Sequence, residues 1–271
     1  RVIVGCTDPN PVVAGRGIRL LREKGLEVVA GVLRGECERQ NEVFFHFMRT
    51  KLPFTVLKYA MTLDGKTATV SGKSQWITGE AARKRVHEDR GRYMAILTGV
   101  STVLADNPQL TCRIPGGKNP IRVIADTKLR TPLSSTVVQT ARETPTWIVT
   151  AVSDTGRKEA YEDAGCRVLS VPAKEGELDL QAMMQRLGEE KVDSVMVESG
   201  GTLAWSFLKA GLVNRVQTYI APKIFGGASA PTPVRGTGVD APPEAFLLKK
   251  PEAVWLGEDL LLEYEVSGQD A

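Results

Sequence analysis

From Phe54 onward, short apolar runs alternate with segments of helical spacing, and this alternation limits the possible folds more than any other feature of the chain. The strand-like runs cover 54–60, 94–98, 121–125, 146–150, 167–171, 194–197 and 216–222. Helical spacing fits 79–90, 101–105, 155–164, 180–190 and 202–210, with Thr78 in the position of an N-cap for the first. Strands separated by helices predict an α/β fold with a mainly parallel sheet covered on both faces. The last stretch, 253–255 and 260–266 around Gly257, reads as a hairpin that adds an antiparallel edge. Residues 226–243 are rich in Gly and Pro and read as a long surface loop.

The front of the chain reads differently. A strand at 1–5, the turn Asp8-Pro-Asn-Pro, a helix at 15–24 closed by Gly25 and a strand at 26–33 make one βαβ unit, too small to bury a core alone. One helix is expected at 36–48, with Val43, Phe44 and Phe47 on one face, and Pro53 marks a boundary. The expected division is therefore 1–50 and 53–271. Arg1 stands where a start Met would, and a chain opening directly on a strand predicts further sequence upstream.

Cys6, Cys37, Cys112 and Cys166 are scattered with no CxxC pair, which suits free thiols in a reducing cytoplasm. His46 and His87 lack neighbours at ligand spacing, so no zinc site is expected in these residues. Thirty-five basic against 32 acidic residues give a net charge of +3, too even to suggest nucleic acid or a membrane surface as partner.

Five segments carry polar residues that a plain scaffold would not need. Lys58 sits in an otherwise apolar strand and requires a partner or a ligand, whereas Asp64-Gly65 just after it reads first as a tight turn. Ser74 and Trp76 precede a helix, offering a hydroxyl and a flat apolar face to a ring. Arg90 closes that helix, where the dipole alone would favour a cation. Gly99, Ser101 and Thr102 place glycine and hydroxyls where a strand passes into a helix, a setting for an anion, with Asp106, Leu110 and Arg113 following. Glu198 ends a strand before Gly200-Gly201-Thr202-Leu203, where the backbone can approach a diphosphate although the GxGxxG spacing is absent.

Together the runs KYAMTLDGKTA, SGKSQWIT, ILTGVSTVLADNPQLTCR and VMVESGGTLAWSFL closely resemble the reductase domain of the bifunctional riboflavin-biosynthesis deaminase/reductase of bacteria. The segment DPNPVVAGRGIRLLREKGLEVVAGVL resembles the stretch after the zinc motifs of that family's deaminase domain, so residues 1–50 are expected to be a partial cytidine-deaminase-like unit without its metal ligands. Zinc would enter only with an upstream half. The resemblance implies a dihydrofolate-reductase-like fold and NADPH-dependent reduction of 5-amino-6-(5-phosphoribosylamino)uracil to its ribitylamino product.

Carried over by motif, NADPH contacts fall to Ala60, Trp76, Thr102, Asp106, Thr127, Gly200, Gly201, Thr202 and Leu203. Substrate contacts fall to Ser74, Arg90, Leu110, Arg113 and Glu198. Lys58 and Glu198 are expected to assist ring opening and protonation, and Arg90 and Arg113 to hold the substrate and its phosphate. Arg122, Thr127, Lys128 and Arg130 are the nearby candidates for the cofactor 2′-phosphate. A pterin reductase on the same fold, and an NADPH-binding protein without turnover, are the competing readings. A cytoplasmic homo-oligomer, dimer or tetramer, is expected.

Overall fold

The computed structural model describes residues 1–268. At the front, β1 (Val2–Val4) and β2 (Val28–Ala30) pair in parallel around α1 (Arg16–Glu23), which is the expected βαβ unit. Two helices follow, α2 (Arg34–Gln40) and α3 (Glu42–Thr50), where the sequence suggested one. The break is Asn41, whose side chain donates back to the Cys37 carbonyl at 2.9 Å and ends α2. Its own carbonyl then accepts from Phe45 and starts α3.

The remainder runs β3 (Phe54–Thr62), α4 (Glu80–Arg92), β4 (Ala95–Gly99), α5 (Val100–Asp106), β5 (Ile121–Ala125), α6 (Thr136–Gln139), β6 (Thr146–Thr150), α7 (Thr155–Asp163) and β7 (Arg167–Ser170). Next come the short hairpin β8 (Ala173–Lys174) and β9 (Glu177–Leu178), α8 (Leu180–Glu189), β10 (Ser194–Val197), α9 (Gly201–Lys209) and β11 (Arg215–Ala221). A long loop then leads to β12 (Leu248–Leu256) and β13 (Asp259–Val266). The strands assemble in the order β12-β13-β11-β3-β10-β4-β5-β6-β7, parallel from β11 to β7 and antiparallel at the last two. The fold is thus α/β with a mainly parallel sheet and an antiparallel C-terminal edge, as expected.

Alternate strand residues feed opposite faces of the sheet. Leu57, Leu97, Val123 and Val195 pack under α8 and α9 against Met183, Leu187 and Phe207. Val56, Met196 and Tyr219 face α4, beside Ala82 and Val86. Coverage on both sides explains why these strands read as continuous apolar runs.

Three local features depart from the sequence reading. Thr78 does not cap α4; Gly79 is the N-cap, and its N–H is taken at 2.7 Å by Asp259 at the start of β13. That cap is tertiary and has no local signature. β12 is longer than expected because Pro251 lies within it, tolerated at an edge strand where the pairing shifts between Lys249 and Glu252. The four-residue α6 and the β8–β9 hairpin are too short to show a period.

Arg122, on central β5, is fully buried and meets no carboxylate among its hydrogen-bond partners. Its guanidinium donates to Thr146 and Thr140 hydroxyls and to the carbonyls of Gln109, Val137, Thr140 and Thr144, at 2.8–3.2 Å. Burial pushes it down to about 10, still protonated at neutral pH. This arginine ties the end of the loop after α5 to the one before β6, and it is not available to a cofactor phosphate as the sequence reading had allowed.

Candidate active site

In the parallel pairing of β3 with β10, Val197 lies opposite Leu57, so Glu198 and Lys58 emerge side by side at the carboxyl edge of the sheet. Lys58 Nζ is 3.5 Å from Glu198 Oε2, and it lies 5.5 Å from the centre of the Tyr219 ring on β11. From α4, Arg90 grips Glu198 with two bonds, Nε to Oε1 at 2.8 Å and Nη2 to Oε2 at 3.0 Å. Its third arm donates to the Thr111 carbonyl at 3.1 Å. All three side chains are only 12–14% exposed. Burial pushes the Glu198 carboxyl up, but Arg90 and then Lys58 outweigh it and hold the acid at about 2. Glu198 is therefore a fixed anion. Arg90, expected as a free substrate anchor, is committed to Glu198 and to the loop.

That loop, 107–113, turns at Asn107 (φ 41°) and Leu110 (φ 53°). Side chains from four places hold its backbone. Arg122 donates to Gln109 O, Arg90 to Thr111 O, Cys112 N–H donates to Asn119 Oδ1 at 3.0 Å, and Arg113 N–H donates to His87 Nδ1 at 3.3 Å. Leu110 is buried in the second core cluster, 4% exposed. Arg113 is exposed, with one arm on Gln109 Oε1 at 3.3 Å.

Beyond Glu198 opens a pocket of about 450 Å³. Gly99, Ser101 and Thr102 form one wall, Thr127 and Arg130 another, and Gly200, Gly201, Thr202 and Leu203 the floor. The two glycines are not equivalent. A side chain at Gly201 would meet Thr232 O at 2.7 Å and Arg235 Cγ at 2.8 Å, because the 231–235 loop packs on it and Arg235 N–H donates to Gly201 O at 2.9 Å. Gly200 has an ordinary φ of −67° and nothing within 4 Å of where its Cβ would stand. Neither packing nor backbone strain requires glycine there, and the space beside it is open to the pocket.

The turn that carries Thr127 and Arg130 is built by buried Asp126, whose Oδ2 accepts from Arg130 N–H, Thr131 N–H and the Thr131 hydroxyl. Thr127 Oγ1 donates to Glu177 of the short β9 at 3.2 Å. Arg235 and Glu177, both pocket-lining, escaped the sequence reading. A lone arginine in a Gly/Pro-rich loop carries no local signal, and that loop proves to be a pocket wall and not merely surface. Asp64 fastens it: the Gly65 turn forms as expected (φ 75°), and the Asp64 carboxylate also accepts from the Phe225 and Gly226 N–H groups. Those bonds, with the Thr62 hydroxyl first, hold Asp64 at about 2.

Ala60, Trp76 and Asp106 do not line this pocket. Ala60 is half-buried near the end of β3, opposite Tyr219. Trp76 is 59% exposed beneath the Arg83 guanidinium at 4.7 Å, with half-buried Ser74 two residues before it. Asp106 is exposed at the end of α5. Among the described residues, no three His, Cys, Asp or Glu side chains are grouped to hold a metal ion, and no helix is long and apolar enough to cross a membrane.

The RibD C-terminal domain family matches residues 53–262. The riboflavin biosynthesis protein RibD of Actinobacillus pleuropneumoniae is 49% identical over 98% of this chain and 71% of its own length. A 2,5-diamino-6-ribosylamino-4(3H)-pyrimidinone 5′-phosphate reductase of Methanothermobacter thermautotrophicus is 42% identical over 80% of this chain and 99% of its own. A diaminohydroxyphosphoribosylaminopyrimidine deaminase/5-amino-6-(5-phosphoribosylamino)uracil reductase from Thermotoga maritima superposes with a TM-score of 0.80 at 33% identity, covering 98% of this chain and 71% of that one. With the paired charges at the strand ends and the glycine-floored pocket beside them, these likenesses mean that the chain belongs to the RibD C-terminal domain family.

Proposed function

We propose that the chain reduces 5-amino-6-(5-phosphoribosylamino)uracil to the ribitylamino product with NADPH as the reductant. The coarser activity, a pyrimidine reductase of riboflavin biosynthesis, follows from family membership. Open Gly200 is the observation that carries the cofactor side: the diphosphate would sit against it and the start of α9. Arg130 and Arg235, on the same pocket, suit the cofactor's remaining phosphate, with the Thr102 hydroxyl as a donor and Thr127 beside them. Ala60 is placed near the nicotinamide, and Trp76 and Asp106 stay in the reading as outlying contacts. NADPH, when bound, supplies the hydride; the residues align and charge the substrate.

In the pyrimidine half, Lys58 is the proton donor suited to opening the ribosylamine ring: its proton goes to the ring oxygen as the C1–O bond breaks, leaving a C1=N iminium that keeps its N–H proton. Reduction at C1 then gives the ribityl chain. Glu198, ionised down to about 2, is a poor proton carrier; it aims Lys58 and Arg90 and can accept substrate N–H or O–H groups. Arg113 takes the substrate phosphate, with Ser74 and the Leu110 backbone as further contacts. In this reading residues 53–271 carry the activity, and residues 1–50 are a deaminase remnant to which no activity is assigned. Leu63, Val70, Ile224 and Trp255 are exposed and apolar, which supports a homo-oligomer, and the free thiols support a cytoplasmic setting. Purified protein should oxidise NADPH only when the phosphoribosyl pyrimidine is added. Turnover with dihydrofolate instead would overturn the substrate.

A further inference from the structure

We propose that His87 is a positioning residue for the substrate loop: its Nδ1 accepts the Arg113 N–H, and this grip sets how tightly the pyrimidine substrate binds. The inference rests on Arg113 being the substrate anchor. Inside the 107–113 loop, Arg113 is the one residue with a guanidinium free to reach a phosphate from an exposed position. Its backbone is the last point of the loop held from outside.

The other three grips come from groups that keep their hydrogen-bonding role at every working pH: two arginines and the Asn119 amide. His87 differs. Its Nδ1 accepts only while unprotonated, so protonation turns the acceptor into a donor facing the Arg113 N–H. A second contact joins the same pair of segments, the Cys112 thiol donating to the His87 carbonyl at 3.2 Å, so α4 and the loop are in register on both sides of the ring.

The charged groups that face the ring are Arg90 on its own helix, Arg113 on the loop and Glu198 after β10. Burial, then Arg90 and Arg113, lowers the ring below the ordinary histidine value; the Thr111 backbone and Glu198 oppose this. The neutral, accepting form is therefore the one present at neutral pH. The grip is complete near pH 7 and above, and it is lost as the pH falls through a value below 6.5.

The test uses the full chain with NADPH and the phosphoribosyl pyrimidine, comparing wild type, His87→Asn and His87→Leu between pH 7.5 and 5.5. Asn places an oxygen acceptor near the Nδ1 position that cannot be protonated, and Leu removes the acceptor. At pH 7.5 His87→Leu should raise the KM for the pyrimidine by about three- to tenfold, with kcat and the KM for NADPH within about twofold. His87→Asn should restore that KM and rise less in acid than wild type. The substrate phosphate titrates in all three proteins, so the difference between them isolates the ring. Hydrogen exchange at the Arg113 amide, without substrate, reads the grip directly: protection should fall in acid for wild type, be low throughout for His87→Leu and hold for His87→Asn. Unchanged protection in His87→Leu overturns the grip. Protection that changes while the KM for the pyrimidine does not overturns Arg113 as the anchor.

Discussion

The two parts of the candidate site are built from different materials. At the strand ends, Lys58, Arg90 and Glu198 form a nearly closed set of charges, each side chain answering another within 3.5 Å. The neighbouring pocket is shaped by backbone: open Gly200, the strand end at Gly99 and the turn organised by Asp126. The same contrast divides Arg90 from Arg122. Arg90 holds a carboxylate at the strand ends, whereas Arg122 has only hydroxyls and carbonyls and belongs to the scaffold.

Substitutions can break that contrast. Arg122→Met strips donors from several buried carbonyls and should lower unfolding free energy in urea by about 3 kcal/mol or more, while NADPH affinity of the folded protein stays the same. An equal loss of NADPH affinity would make Arg122 part of the site. Glu198→Gln leaves Arg90 and Lys58 without their anion and should reduce kcat by about 100-fold or more, without weakening NADPH. Arg113→Ala should mainly raise the KM for the pyrimidine, by about tenfold, because a solvent-accessible anchor contributes to binding more than to chemistry. A drop in kcat with KM unmoved would instead place Arg113 at the reacting atoms.

The smallest effect concerns acid. The Glu198 acid lies at about 2, below its ordinary 4.5, so its ion pairs stabilise fully above pH 4.5 and fail progressively as the pH falls toward 2. A pH series of thermal melts should show this loss in wild type and less of it in Glu198→Gln. Rising KM between pH 7 and 5.5 therefore cannot come from Glu198.

Much of this is legible in the sequence. The strands at 121–125, 146–150 and 194–197 were read to the residue, because apolar β-branched runs bounded by turns have one plausible reading. Lys58 stood out as a charge in an apolar strand, and Glu198 as a charge before two glycines. What stayed hidden depends on distant partners. The cap of α4 comes from Asp259, the roof over Gly201 from Arg235, and the burial of Arg122 from loops 13 to 22 residues away. No window of local sequence contains both halves of such a contact. Gly200 and Gly201 look alike on paper, and only their surroundings separate the one kept clear from the one packed shut.

That separation supplies the most direct test of where the cofactor lies. A side chain at Gly200 meets no protein atom within 4 Å, so Gly200→Val should fold with the stability of wild type, while Gly201→Ala should lose about 1–3 kcal/mol to its clash with the 231–235 loop. Titrating NADPH into Gly200→Val, followed by nicotinamide fluorescence, should show affinity weakened by about 100-fold or more, since the bulk stands where the diphosphate belongs. Wild-type affinity in a stably folded Gly200→Val protein would contradict the placement of the cofactor across the carboxyl edge of the sheet.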